Sequence, residues 1–271
     1  MDRRFWPATE RVAHISLRGQ VAGVSFVEGD ALQIGAALAD LLRAPDGPRE
    51  RQLLRGDGFT VIEDVGGWAF GFATRDGYCG WVRRGALIAP LAISHWVASC
   101  GTHLHDQPRV QASSEALPMR AGVQVTGMAG AFAEVVGGYV PATHLREIGD
   151  WLADPVAVAE MFLGTPYLWG GNSRAGIDCS GLVQGAFLAC GLACPGDSDL
   201  QAAMGAEVPE GAALRRGDLV FWKGHVAMMV DDARIIHANG HSMDLRIEGL
   251  EAAAARIAAR GGGPVTGRRR V

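Results

Sequence analysis

Cys179 is the residue of this chain with the clearest potential for chemistry. It stands in the segment Gly176–Gly181, where we predict that a helix begins. The first amides of a helix lack partners within it, and the helix dipole is positive there, so we expect the pKa of this thiol to be lowered. A thiolate is the nucleophilic form of cysteine. Taken alone, a cysteine at such a position is more often a small buried apolar side chain.

Two histidines supply the other groups that a nucleophilic cysteine needs. His225 opens a predicted strand, and His237 lies near the end of the next one. On neighbouring antiparallel strands the two rings can lie side by side on one face. A nucleophile, a base and a residue that orients the base together carry out covalent acyl transfer. The pattern therefore predicts Cys179 as nucleophile, His225 as base and then acid, and His237 as the orienting residue. Histidines that only make hydrogen bonds at strand ends are the alternative.

Helices followed by an antiparallel sheet are predicted to position these groups. Asp154 and Pro155 are typical of an N-cap and a first helical residue, and Gly164 ends that helix. A second helix is predicted from Cys179 until Gly191 stops it. Three strands and an alanine-rich helix follow, at Leu219–Trp222, Val226–Val230, Arg234–His237 and Glu251–Arg260. This order of elements indicates an α+β domain.

The first half of the chain contains two segments that resemble each other, from about 33 to 89 and from about 95 to 148. Each has a β-rich stretch, a glycine-containing turn and a second β-rich stretch. These stretches are Phe59–Ile62 and Trp68–Phe72 in the first segment, and Val123–Thr126 and Phe132–Val136 in the second. Alternating apolar residues between closely spaced turns predict small all-β barrels. One irregular β-domain with a chance match between its ends is the alternative.

Composition and charge exclude several classes of function. The 271 residues are 48% hydrophobic and 20% charged, with a net charge of −4 and no basic stripe, so we expect a globular protein that does not bind nucleic acid. No apolar run has the roughly 18 residues of a membrane span. Met1–Gly23 carries charges and no apolar signal core, so we expect a cytoplasmic protein. We expect the basic end, Arg268–Arg270, to be frayed and solvated.

The cysteines and histidines of the chain do not form a disulfide or metal pattern. The five cysteines are odd in number and irregularly spaced, unlike a disulfide framework. Cys100, His103 and His105 are of types that bind zinc, but no matching second pair of ligands follows them. We therefore expect neither a metal nor a cofactor.

Five short blocks in the second half resemble, in order, the signatures of the NlpC-type cell-wall cysteine peptidases. The resemblance covers about Asp150 to Leu250, and the blocks are Tyr167–Gly171, Asp178–Val183, Arg216–Phe221, Gly224–Ala227 and Ile236–Ala238. It implies a papain-like α+β peptidase domain with Cys179, His225 and His237 as its catalytic residues. It also implies that the Tyr167 hydroxyl and the Cys179 amide stabilise the oxyanion.

The front half is similar to the bacterial SH3-like domains of enzymes that cut murein stem peptides between γ-D-glutamate and the following diamino acid. In that subgroup, acidic and tyrosine side chains bind the free amine of an N-terminal L-alanine. The resemblance therefore implies a substrate contact for Tyr78, for which a barrel-core aromatic is the alternative reading, and leaves the acidic partner open between Glu50 and Asp57. Asp178, beside Cys179, is a further candidate for binding the ammonium, and the resemblance implies peptide contacts for Ser180 and Ser198.

These features together predict a papain-like cysteine peptidase domain preceded by two small all-β SH3-like barrels. The expected parts are an extension at 1–30, barrels at 31–92 and 93–149, and the peptidase domain at 150–271. The expected reaction is hydrolysis of the γ-D-glutamyl–diamino acid bond (meso-diaminopimelate or L-lysine) in free murein peptides during wall recycling. An amidase or acyltransferase on the same fold, or a peptidoglycan-binding module without catalysis, are the alternatives. The sequence predicts no membrane partner and leaves the oligomeric state open.

Overall fold

A computed structural model describes residues 2–271 of the chain. The chain divides into two compact units, unit 1 ending at Ile148 and unit 2 running from Gly149 to Val271. The finer boundaries predicted after residues 30 and 92 stay predictions. In the described part of the chain, none of the helices has the length and hydropathy needed to cross a membrane.

Unit 1 is built from β-strands joined by tight turns and short 3₁₀ turns. Its strands are β1 (Val12–His14), β2 (Ser25–Val27), β3 (Asp30–Ile34), β4 (Leu38–Leu42), β5 (Arg49–Leu54), β6 (Gly58–Val65), β7 (Trp68–Ala73), β8 (Cys79–Arg83), β9 (Leu87–Ile88), β10 (His95–Val97), β11 (Gly101–His105), β12 (Ser114–Pro118), β13 (Gly122–Val123), β14 (Val125–Ala129), β15 (Phe132–Val135), β16 (Gly138–Pro141) and β17 (Leu145–Glu147). The β-rich stretches predicted from alternating apolar residues fall on these strands except at Gln124 and Val136.

The two predicted β-segments of unit 1 form separate sheets. The first segment makes a sheet of order β5-β4-β8-β7-β6-β3-β9, and the second makes sheets of order β13-β10-β17 and β12-β11-β16-β15-β14. Each segment has its own apolar core, centred on Phe59 and Leu53 in the first and on Val97 and Val140 in the second. Both segments end in a strand, a 3₁₀ turn and a short strand. The all-β prediction is confirmed, whereas closure into two barrels stays a prediction.

Unit 2 combines helices with an antiparallel sheet, as the sequence predicts. Its elements are α1 (Pro155–Glu160), β18 (Asn172–Ser173), β19 (Gly176–Ile177), α2 (Cys179–Ala189), α3 (Ser198–Gln201), β20 (Ala206–Glu207), β21 (Leu219–Trp222), β22 (His225–Met229), β23 (Arg234–Asn239), β24 (Asp244–Gly249), α4 (Leu250–Ala259) and β25 (Gly267–Arg270). The main sheet has the order β20-β25-β21-β22-β23-β24. Asp154 caps α1 by accepting a hydrogen bond from the Val156 amide, with Pro155 at the first helical position.

The central strands of this sheet are buried because apolar residues cover them. Trp222, Met229 and Ile235 form a buried cluster with Ala253 of α4. The helix α2 presents a buried apolar side that includes Leu182 and Phe187, in the pattern that its sequence predicts. The sheet therefore gives the strands that carry His225 and His237 a rigid support.

The basic end of the chain does not fray, so that expectation is wrong. Strand β25 lies between β20 and β21 in the main sheet. The Arg270 guanidinium donates to both carboxylate oxygens of the buried Asp218, at 2.7 and 2.6 Å. Strand pairing and this two-point ion pair order the segment, which charge content alone could not reveal.

Candidate active site

Cys179 is the first residue of α2, and the residue before it caps the helix. The Asp178 carboxylate accepts hydrogen bonds from the Gly181 amide (2.6 Å), the Gly170 amide (2.8 Å) and the Ser180 hydroxyl (3.1 Å). The contact with Gly170 ties the helix start to the preceding loop. Burial raises the pKa of Asp178 although three donors face the carboxylate. The geometry makes Asp178 a residue that positions Cys179, and its contact with substrate stays a prediction.

Close packing also fixes the start of α2 against the loop at 170–172. A Cβ at Gly181 would lie 2.5 Å from both the Gly171 carbonyl oxygen and the Asn172 side-chain oxygen. Only glycine lets the two segments approach this closely. This close approach and the Asp178 hydrogen bonds together hold the first turn of α2, where Cys179 lies.

The Cys179 thiol is nearly buried and lies beside the strand that begins with His225. Its side chain is within hydrogen-bonding range of the backbone amides of Val226 and Ser180, which favour the thiolate. Burial and the neighbouring Asp178 charge outweigh these donors and raise the pKa of Cys179 to about 12. The expectation of a lowered pKa is therefore wrong: the amides of a helix start do stabilise the anion, but loss of water costs more.

His225 and His237 lie on neighbouring strands and form a hydrogen bond. The distance between His225 Nε2 and His237 Nδ1 is 2.8 Å. Burial, followed by the charges of His237 and Arg256, lowers the pKa of His225 to about 3. Burial also lowers the pKa of His237, which is fully enclosed. Both rings are therefore neutral at neutral pH, and the structure brings them together side by side, as the strand pattern predicts.

Glu248 and Arg256 extend this pair, and sequence reasoning missed both. His237 Nε2 lies 2.7 Å from Glu248 Oε1, and the Arg256 guanidinium holds both oxygens of Glu248 at 2.5 Å. Hydrogen bonds from Arg256, with those from His237, lower the pKa of Glu248 to about 2. A signal was present, because Asp244–Glu248 alternates polar and apolar residues as a strand does.

The ionised carboxylate determines which nitrogen of each ring carries a proton. Glu248 can only accept, so His237 Nε2 must donate to it. The Nδ1 of neutral His237 then accepts, and His225 Nε2 donates to it. This leaves His225 Nδ1 without a proton. The hydrogen-bond row therefore prepares His225 Nδ1 as a base.

Tyr167 lies on the Cys179 side of the site. Its backbone forms a bridge with Ile177, two residues before Cys179, and its amide donates to the Met243 carbonyl at 2.9 Å. Burial and the charges of Cys179 and Asp178 raise the pKa of the phenol. Tyr167 therefore keeps its proton and can donate a hydrogen bond near the nucleophile.

Two serines were also predicted to contact substrate. Ser180 is buried, its hydroxyl donates to Asp178, and its carbonyl accepts from the Gln201 side chain at 3.0 Å. Ser198 is half-buried at the first position of the short helix α3. Both lie in unit 2, and their contacts with substrate stay predictions.

Tyr78 lies in unit 1, where its ring belongs to the apolar core of the first segment. Its hydroxyl donates to Glu50 Oε2 at 3.3 Å, and Arg3 forms an ion pair with the same oxygen at 2.5 Å. The other acidic candidate, Asp57, accepts from the Leu54 amide and from Arg75. Of the two carboxylates, only Glu50 has a hydrogen bond from Tyr78 within residues 2–271. The ring of Tyr78 is thus a core aromatic, as the alternative reading has it, and its contact with substrate stays a prediction.

Within residues 2–271, no three histidine, cysteine or acidic side chains are grouped so that they could hold a metal ion.

Comparison with known proteins gives a family match for one stretch in each unit. A model of the NlpC/P60 family matches residues 164–256, and a model of the bacterial dipeptidyl-peptidase SH3 domain matches residues 41–87. The solved structure of an NlpC/P60 family protein from Bacillus cereus has a similar fold. It has a TM-score of 0.75 and 22% identity, over 89% of this chain and 99% of that one.

Curated relatives match over shorter stretches. The gamma-D-glutamyl-L-lysine dipeptidyl-peptidase of Bacillus cereus is 39% identical over 31% of this chain and 28% of its own length. Its namesake from Bacillus subtilis is 37% identical over 34% of each chain. The matches thus span about a third of the length of these relatives. The chain carries a papain-like NlpC/P60 domain at residues 164–256, preceded by a match to the bacterial dipeptidyl-peptidase SH3 domain at residues 41–87.

Proposed function

We propose that the protein is a cysteine peptidase that hydrolyses the bond between γ-D-glutamate and the following diamino acid in murein peptides. The observation that carries the proposal is the row of hydrogen bonds from His225 through His237 to Glu248. It leaves a basic nitrogen on His225, the residue that precedes the amide facing the Cys179 thiol. A neutral thiol next to a neutral, oriented imidazole suits acyl transfer with proton transfer during the attack.

The first half of the reaction breaks the amide bond. His225 Nδ1 takes the proton from the Cys179 thiol while the sulfur attacks the γ-carbonyl carbon of D-glutamate. The negative charge moves to the carbonyl oxygen, where the Tyr167 hydroxyl and the Cys179 amide donate hydrogen bonds. The tetrahedral intermediate then collapses. The C–N bond breaks, His225 gives its proton to the departing amine, and a thioester to Cys179 remains.

The second half releases the dipeptide. Water takes the place of the departed amine, and His225 removes one of its protons as the oxygen attacks the thioester. A second tetrahedral intermediate breaks down to a free carboxylate, and the sulfur takes its proton back from His225. While His225 is positively charged, the Glu248 carboxylate stabilises it through His237.

Binding of the substrate amine is assigned to unit 1 as part of the same proposal. A free N-terminal L-alanine carries an ammonium group, which needs a carboxylate partner. Glu50 is the better candidate than Asp57, because it accepts the Tyr78 hydrogen bond and its contacts fall on one oxygen, Oε2, whereas both oxygens of Asp57 are engaged. A requirement for this amine would limit the enzyme to peptides freed from sugar, as in cytoplasmic recycling of wall fragments.

The test is a digest of defined peptides followed by mass spectrometry. The free peptide L-Ala-γ-D-Glu-meso-diaminopimelate is compared with its N-acetylated form and with intact sacculi, using Cys179→Ala as the control. We expect L-Ala-D-Glu from the free peptide alone, and none with the variant. Cleavage of the acetylated peptide at the same rate would overturn the amine requirement. Failure to cleave any of the three would overturn the peptidase proposal.

Glu50 and Asp57 are separated by matched variants. Glu50→Gln should raise KM for the free peptide about tenfold with little change in kcat, because an amide cannot neutralise the ammonium. Asp57→Asn should leave KM within about twofold, since that carboxylate is bound to Arg75 and a backbone amide. The reverse result would move the amine site to Asp57.

A further inference from the structure

The turn between β23 and β24, at residues 240–243, holds the backbone of Tyr167. The Met243 carbonyl in this turn accepts a hydrogen bond from the Tyr167 amide at 2.9 Å. Directly beside this contact, Pro166 forms an antiparallel bridge with Asp244. The backbone position of Tyr167 therefore depends on where the turn lies.

The conformation of this turn is unfavourable at Met243. Its backbone lies in the left-handed region (φ +57°), which side chains other than those of asparagine and aspartate rarely adopt. The Met243 side chain is 58% exposed, so its packing compensates for little of this strain. Other contacts must therefore stabilise the turn.

The Asn239 side chain supplies such contacts. It is 6% exposed, and its Oδ1 accepts hydrogen bonds from the His241 amide (3.1 Å), the Ser242 amide (2.9 Å) and the Ser242 hydroxyl (3.0 Å). The Asn239 carbonyl accepts a further one from the Met243 amide at 3.0 Å. Asparagine and aspartate are suited to this role because a short side chain brings the oxygen back to the following amides. Asn239 thus binds three consecutive residues of the turn.

The orientation of the Asn239 amide separates its role from that of the histidine pair. With Oδ1 on the turn, Nδ2 lies 3.3 Å from His237 Nε2. That ring nitrogen donates its proton to Glu248, so it cannot also accept a hydrogen bond from Asn239. The stabilising hydrogen bonds of the Asn239 side chain are therefore those with the turn.

We propose that Asn239 is a positioning residue for Tyr167: it holds the turn whose Met243 carbonyl fixes the Tyr167 backbone, and it thereby places the Tyr167 hydroxyl at the oxyanion. The inference rests on the proposed function, in which that hydroxyl donates to the oxyanion. A displacement of about 1 Å in a catalytic group can cost a factor of about 100 in rate. Loosening the turn should therefore slow the reaction although every donor to the oxyanion is still present.

A double-mutant cycle tests this route. Asn239→Ala should lower kcat about tenfold and leave KM within about twofold, because the turn loses its acceptor. In a Tyr167→Phe background the same substitution should change kcat by less than about twofold, since the hydroxyl that it positions is already absent. Losses that multiply in the double variant, or an unchanged kcat in folded Asn239→Ala, would overturn the inference.

The hairpin at the other end of β23 offers a matched control. Asp231 Oδ1 accepts from the Ala233 amide (3.0 Å) and the Arg234 amide (2.7 Å), so it holds the turn before β23 in the same way. Asp231→Ala should lower Tm, as Asn239→Ala does, but leave kcat unchanged. Asn239→Asp keeps the acceptor oxygen and should bring kcat back to within about threefold of the wild type. An equal loss of kcat in Asp231→Ala, or no recovery in Asn239→Asp, would also overturn the inference.

A measurement without substrate separates this inference from the proposed function. The chain has three tyrosines, so labelling with ¹⁵N-tyrosine gives three backbone amide signals, and Tyr167→Phe identifies the one from Tyr167. Asn239→Ala should shift that signal and speed its exchange with deuterium about tenfold, whereas Asp231→Ala should do neither. This result in a protein that cleaves no murein peptide would support the link between Asn239 and Tyr167 and overturn the proposed reaction. An unchanged Tyr167 signal in an enzyme that cleaves the peptide would do the opposite.

Discussion

Cys179 is held mainly by backbone groups, whereas His225 is held by a row of side chains. Hydrogen bonds from two amides to Asp178 and the close approach at Gly181 fix the start of α2. The His225 ring depends instead on His237 and, beyond it, on Glu248. This difference predicts that substitutions on the two sides of the site will have different effects. Changes on the cysteine side should affect folding and oxyanion binding, whereas changes on the histidine side should affect proton transfer.

Removing either reacting group should have the largest effect. Cys179→Ala removes the nucleophile and His225→Ala removes the base, so we expect each to lower kcat by about 10⁴ or more. Because the two act as a unit, the double variant should lose little more than either single one. The measurement is peptide cleavage followed by mass spectrometry, with circular dichroism to confirm folding. A double variant that loses the product of the two single effects would contradict a shared step.

Tyr167→Phe tests the oxyanion contact on the cysteine side. Phenylalanine keeps the ring and removes the donor, so we expect kcat to fall about 100-fold while KM changes little. The control is Tyr139→Phe in unit 1, which should leave kcat unchanged. If Tyr167→Phe raised KM and kept kcat, the hydroxyl would bind the ground state and not the oxyanion.

Asp178→Ala should destabilise the protein, because Asp178 holds the helix start on the cysteine side of the site. The substitution leaves the Gly170 and Gly181 amides without their acceptor and removes the helix cap. We expect a loss of about 2 kcal/mol in the free energy of unfolding, measured by urea denaturation. Asp154→Ala at the start of α1, whose cap involves the Val156 amide, is the comparison. A fully stable Asp178→Ala enzyme with a raised KM would favour the substrate contact predicted for this carboxylate.

Glu248→Gln should act through proton transfer on the histidine side. The amide carries no charge to stabilise the histidine pair and can present a donor to His237, so the tautomer of His225 is no longer fixed. We expect kcat to fall about tenfold, KM to stay within about twofold, and Glu248→Asp to restore part of the loss. A purely structural residue would change stability without altering the dependence of kcat on pH, which Glu248→Gln should alter.

The grouping of Cys179, His225 and His237 could be predicted from the sequence because each residue lies in a short local pattern. Cys179 follows a capping residue, and the two histidines lie on strands separated by short linkers. Glu248 and Arg256 could not be placed in this way, because their role depends on β24 pairing with β23. The pKa of Cys179 was predicted in the wrong direction because a sequence shows the helix start but not the depth of burial. Strand β25 was missed because its pairing with β20 and β21 is long-range.

The change of the cleavage rate with pH should be the smallest of these effects. It also contrasts the cysteine and histidine sides of the site most sharply, because the pKa values of Cys179 and His225 are shifted in opposite directions. Burial lowers the pKa of His225 to about 3 and raises that of Cys179 to about 12, so the pair is neutral between these values. Activity requires neutral His225, and it should therefore persist as the pH falls below 6.5. We expect kcat/KM at pH 5 to stay within about twofold of its value at pH 7, whereas a base with an ordinary histidine pKa would retain only about 4%.

The free energy of unfolding must be followed over the same pH range, because the burial of His225 also makes stability depend on pH. A histidine whose pKa is lowered in the folded state binds more protons when unfolded, so its contribution to stability is lost as the pH falls from 6.5 towards 3. Glu248, with a pKa of about 2, loses its contribution below 4.5. Rates at pH 5 are therefore compared only where circular dichroism shows a folded enzyme. An acid limb near pH 6.5 in folded protein would mean that His225 titrates with an ordinary histidine pKa, and it would contradict the lowering of that pKa by burial.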